Sequence, residues 1–167
     1  YFFLLFLSTG ERTYLPYLVY LLGVTAFALT VYKYAEWFPL YVGLNWFIYF
    51  GSVGLAGLGL LSFALRYLNI KELLPGWYTW TRWFQVAFSV PPLFMILIML
   101  SVGWITNWEN SDFVNSISGM TVSALFLMIT LGLILTTLLG VLALRKKYRP
   151  AGSYLVGMVV LILFVGV

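Results

Sequence analysis

The chain has 167 residues, of which 63% are apolar and only 8% charged, with a formal net charge of +4. Soluble domains carry about 25% charged and about 45–50% apolar residues, so the solvent this surface suits is lipid, and an integral membrane protein is expected. Cys and His are both absent, which removes disulfides, thiolate chemistry, the commonest general base and the commonest metal ligand; no cofactor, metal or haem is expected.

A spanning helix takes about 20 mostly apolar residues. The first run, "YFFLLFL" at residues 1–7, lacks the basic start and the cleavage site of a signal peptide. It is read as the end of a first span, cut short. "STGER" breaks it, and the second span follows at residues 14–32. After Pro39 in "EWFP" comes the third, residues 45–65, which leaves through "NIKELLPGW" with Asn69, Pro75 and Gly76. The fourth occupies residues 84–104 and ends before "TNWENSD", the one long polar run. The fifth, residues 120–144, closes on "RKKYRP", and the sixth, residues 153–167, is still apolar where the sequence stops. Both ends fall inside apolar runs, so a piece of a longer chain is expected. None of these stretches alternates with the period of lipid-facing barrel strands. The expected fold is all-α, one polytopic transmembrane bundle over residues 1–167.

The charges sort by loop. Arg12, Arg66, Lys71, Arg82, Arg145, Lys146, Lys147 and Arg149, with Glu11 and Glu72, follow the odd-numbered spans, for a net +6. Lys33 alone, with Glu36, Glu109 and Asp112, follows the even-numbered spans, for a net −2. Lys and Arg are retained on the cytoplasmic side, so residues 8–13, 66–83 and 145–150 are expected there. This placement accounts for the positive charge without a nucleic-acid partner. Trp37, Trp46, Trp77, Trp80, Trp83, Trp104 and Trp108 cluster near span ends, as expected of a belt at the membrane interface.

Intramembrane ionisable residues mark pumps and proton paths. No Asp, Glu, Lys or Arg falls near the centre of a span, which argues against a proton-coupled transporter. What the spans do carry is small. Gly51, Gly54 and Gly57 lie in the third, and Gly132, Thr136 and Gly140 recur every four residues along the fifth. Small residues at this spacing let membrane helices approach closely; bundle packing, a dimer interface and a ligand pocket all use them. Pro91 and Pro92 interrupt the fourth span, as a fixed kink or as a hinge. In the knot "RKKYRP", basic side chains at a helix end complement its negative pole. Pro150 then suits the first turn of the next helix.

Three stretches resemble a known family: "FLSTGERTYLPYLVYLL" at residues 6–22, "SFALRYLNIKELLPGW" at residues 62–77 and "GVLALRKKYRPAGSYLVG" at residues 140–157. Their order, sidedness and span count are similar to the membrane domain of the bacterial seven-transmembrane receptors with diverse intracellular signalling modules. The resemblance implies a sensory domain of the bacterial inner membrane. It would relay an extracytoplasmic signal by helix rearrangement to an output module such as a histidine kinase of a two-component system or a diguanylate cyclase. It further implies a homodimer, an extracytoplasmic sensor before the first helix, and no catalysis within the segment. The loop residues Arg12, Arg66, Lys71, Glu72, Pro75, Arg145, Lys146, Lys147, Arg149 and Pro150 are then candidates for signalling contacts. A transporter or channel fragment, and an accessory subunit of a membrane complex, are the alternatives.

Overall fold

The computed structural model describes residues 14–31, 42–102 and 112–165. The expected first span, the loop at residues 8–13 with Arg12, and Lys33, Glu36 and Glu109 lie outside the described residues. Helix α1 runs Tyr14–Val31, α2 Val42–Tyr67, the one-turn α3 Ile70–Leu73, α4 Pro75–Val102, α5 Asp112–Arg145 and α6 Pro150–Val165. The 18 residues of α1 rise about 27 Å, close to the hydrocarbon thickness of a bilayer. Among the described residues, four helices, α1, α2, α4 and α5, are long and apolar enough to cross a membrane. The described residues contain no strand.

Lipid supplies no hydrogen bonds, so each span must satisfy its own polar groups. The hydroxyls do this by turning back one helical turn. Thr25 donates to the Leu21 carbonyl at 2.8 Å, Ser89 to Gln85 at 2.8 Å, Thr121 to Ile117 at 2.8 Å and Thr137 to Leu133 at 2.7 Å. Such residues add polarity to the sequence without offering a polar surface to the bilayer.

Two boundaries differ from the sequence reading by more than a turn, both because helices run past the apolar stretch; the ends of α2 and the start of α6 shift by two or three residues. Residues 75–83, expected in a loop, form the first turns of α4. Pro75 opens the helix, where its missing N–H is no loss, and Leu74, kept out of the helical region ahead of it (φ −145°, ψ 66°), ends the turn before. Arg82 therefore stands on a helix. Helix α5 begins at Asp112 rather than near residue 120, with 34 residues and a length of about 51 Å. An acidic first residue suits the positive pole of a helix, so the polar end of "TNWENSD" is part of α5.

Helix α2 sits at the centre and packs against α1, α4 and α5. The glycines explain how. On α1, a Cβ at Gly23 would lie 2.4 Å from the backbone nitrogen of Ala56. On α2, a Cβ at Gly59 would lie 2.5 Å from that of Tyr20. Backbone meets backbone along this pair, which only glycine permits. On the other side of α2, Gly57 receives the ring of Phe88 and Gly54 receives the ring of Pro92, 3.2 Å from a Cβ position. Two apolar cores follow. One, at the basic end, gathers Ala64, Leu68, Ile70, Leu139, Ala143, Ala151 and Met158 from α2, α3, α5 and α6. The other, toward the opposite end, gathers Phe50, Val53, Met95 and Leu125.

Candidate functional site

The basic knot is built from the end of α5. The helix stops at Arg145, and only that member of the cluster is helical; Lys146, Lys147 and Arg149 lie in the turn, not in the last helical turn as expected. The reason is a C-terminal cap. The Lys147 N–H donates to the Leu144 carbonyl at 2.8 Å and the Tyr148 N–H to the Ala143 carbonyl at 3.1 Å, the paired bonds of a Schellman motif. The motif requires a left-handed residue, and Lys147 takes it with φ 61°. Pro150 is then the first residue of α6. The Ala151 and Gly152 N–H groups close the new turn on the Tyr148 and Arg149 carbonyls at 3.1 and 3.2 Å.

Tyr148, between the charges, does not lie free at the surface. Its hydroxyl donates to the carbonyl of Tyr67 at 3.1 Å, an orphan acceptor at the end of α2. Its ring packs on the core that holds Ala143 and Ile70. The α2–α4 connection is shaped to meet it. Asn69 is left-handed with φ 47°, a conformation asparagine tolerates. Its side-chain amide donates to the Glu72 carboxylate, and its carbonyl accepts from the Glu72 and Leu73 N–H groups at 3.1 Å. Leu68 and Ile70, on either side, are fully buried. The connection and the knot thus form one platform across the basic end. Arg66, Lys71, Glu72, Pro75, Arg145, Lys146, Lys147, Arg149 and Pro150 are all exposed on it.

A second polar link lies within the bundle. Gln85 on α4 is 5% exposed. It donates through Nε2 to Ser62 Oγ on α2 at 2.9 Å and accepts through Oε1 from Arg82 Nη1 at 3.1 Å. The sequence reading searched the spans for charges and passed over this amide; a lone Gln in an apolar run was the signal. Two turns on, Pro91 and Pro92 leave the Ala87 and Phe88 carbonyls without their usual helical donors. Pro92 is buried against Gly54 where α4 crosses α2.

The remaining small residues divide by environment. Gly51 has open space where a Cβ would stand. Gly132 meets only the ring of Phe84, at 3.6 Å. Gly140 makes room for α6: a Cβ there would be 2.8 Å from Leu155 and 3.0 Å from Tyr154. Thr136, one turn before it, is fully buried and donates to the Gly132 and Leu133 carbonyls at 2.9 and 3.1 Å. The Tyr154 hydroxyl is buried, with Thr136 as its polar neighbour.

The model of one family, described as 7TM diverse intracellular signalling, matches residues 1–167. The chain belongs to that family. As a member of the 7TM diverse intracellular signalling family with four helices apolar enough to cross a membrane, it is an integral membrane protein of the sensory kind linked to intracellular signalling. No curated protein and no solved structure matches it.

Proposed function

We propose that this chain is the membrane-embedded sensory and relay domain of a bacterial inner-membrane receptor. Its basic end faces the cytoplasm, and it passes an extracytoplasmic signal to an output module, such as the kinase of a two-component system, by rearranging its helices. The segment itself performs no catalysis, binds no cofactor, and works as a homodimer. One observation carries the reading: the Tyr148–Tyr67 hydrogen bond and the core beneath it join α2, α3, α5 and α6 into a single platform. A displacement of any of these helices then reaches the exposed basic surface. A relay needs two arrangements close in energy, and the Pro92–Gly54 crossing is where α4 has the fewest backbone bonds to lose.

The test uses the full-length receptor with Lys146→Gln/Lys147→Gln and, separately, Tyr148→Phe. Membrane insertion and abundance stay normal, because six basic residues remain on that side of the double variant, and the ligand-dependent output shifts in both. Unchanged dose–response curves in both variants would overturn the relay reading.

A further inference from the structure

Helices α2 and α4 run antiparallel, and three contacts mark their register. Pro92 rests on Gly54, the ring of Phe88 enters the notch at Gly57, and Gln85 donates to Ser62 at 2.9 Å. The first two are apolar and have no preferred direction. A hydrogen bond weakens steeply once its angle or length departs from the ideal, so the third is the contact that a small rotation of α4 breaks first. Arg82 makes that bond specific. Its guanidinium, which can only donate, holds Gln85 Oε1 at 3.1 Å, so the amide cannot be reversed without setting donor against donor. Gln85 Nε2 is thereby aimed at Ser62.

Losing the bond leaves little unsatisfied. Ser62 is half-buried and lies one turn after Leu58, whose carbonyl its hydroxyl can reach as Ser89 reaches that of Gln85 at 2.8 Å. Gln85 keeps its bond to Arg82, which is exposed, and turns with it. Two arrangements of this contact are therefore close in energy, which a relay requires. What α4 does next is fixed by its ends. At one end stand Pro91 and Pro92, with two helical bonds missing. At the other, Leu74 alone separates α4 from α3, and the fully buried Ile70 seats α3 in the core of the platform. Residues 75–90 thus form one rod, hinged at one end and geared to the platform at the other. Building on the relay reading, we propose that the Gln85–Ser62 bond is a latch on this rod: made, it holds α4 to α2, and broken, it lets α4 turn and carry the platform with it.

The full-length receptor in nanodiscs carries spin labels at Leu55→Cys on α2 and Val86→Cys on α4, both exposed positions. Their dipolar coupling is read beside the ligand-dependent output. An interhelical side-chain bond in a membrane shifts an equilibrium by about threefold. Gln85→Leu and Ser62→Ala each therefore broaden the label-to-label distances and move the midpoint of the output by about threefold, in the same direction. Gln85→Glu moves both the opposite way, because its carboxylate accepts from Arg82 and from the Ser62 hydroxyl in stronger, charge-assisted bonds. An unchanged midpoint in Gln85→Leu, with the distances altered, leaves the bond a packing contact and overturns the latch; unchanged distances overturn it too. Tyr148→Phe in the same assay keeps the two readings apart: a shift there with none in Gln85→Leu removes the latch and leaves the relay standing. Should Gln85→Leu fail to insert, Ser62→Ala, which removes one oxygen, still decides.

Discussion

Replacing Gly59 with Ala tests how α1 and α2 are held together. The added methyl would stand 2.5 Å from the Tyr20 backbone nitrogen, 2.7 Å from its Cα and 2.9 Å from the Pro16 carbonyl oxygen. Ordinary contact begins near 3.4 Å, so the two backbones must part locally by roughly 0.9 Å. No flexible side-chain tip is available to give way. Overpacking of this kind costs about 1–3 kcal/mol, and a gap of that size forfeits a quarter to a half of each displaced dispersion contact. Against this stands the helix preference of Ala over Gly, about 0.5–1 kcal/mol. The net expectation is a loss of about 1–2 kcal/mol. Gly51, on the same helix, is the matched control. Nothing lies within 4 Å of its Cβ position, so Gly51→Ala keeps only the gain from propensity. The two variants should differ by about 2 kcal/mol, roughly thirtyfold in the unfolding equilibrium. Reversible unfolding in mixed micelles, followed by far-ultraviolet circular dichroism, reads this directly. Equal shifts for Gly59→Ala and Gly51→Ala would refute the argument that backbone contact joins these helices.

Lys147→Gly removes a side chain from a left-handed residue (φ 61°) and relieves strain of about 1–2 kcal/mol, so the same unfolding assay should show a more stable chain. A loss of stability would mean that the lysine side chain holds the turn by contacts of its own. Gln85→Leu and Ser62→Ala, alone and combined, form a double-mutant cycle on the 2.9 Å interhelical bond; a coupling near 0.6 kcal/mol is expected in a membrane, and zero would discount the bond. For sidedness, single cysteines at Thr9, Gly76 and Lys147 should resist an impermeant thiol reagent in intact cells while one at Asn110 reacts; the converse pattern would invert the proposed orientation.

Much of the architecture was legible along the chain. Whether a stretch can span a bilayer depends on its own length and apolarity, so every described span falls where an apolar run lies, and Pro150 opens α6 because its ring and missing N–H suit a first turn. The basic asymmetry is likewise a property of loop composition. Helix ends were less legible: α4 and α5 continue past their apolar stretches into amphipathic turns that carry Trp77, Trp80 and Arg82 or begin at Asp112.

The faces were not legible at all, and the reason is physical. In water an amphipathic stripe shows which side of a helix turns inward. In lipid the outside is as apolar as the inside, so spans that are hydrophobic all round carry no such mark. Gly51 and Gly59 are alike in the sequence, yet one faces open space and the other meets a backbone. Tyr148 sits in the chain as one aromatic ring among charges. Only the tertiary structure, by bringing residues 81 positions apart to 3.1 Å, makes it the cap of α2 and the tie across the basic end.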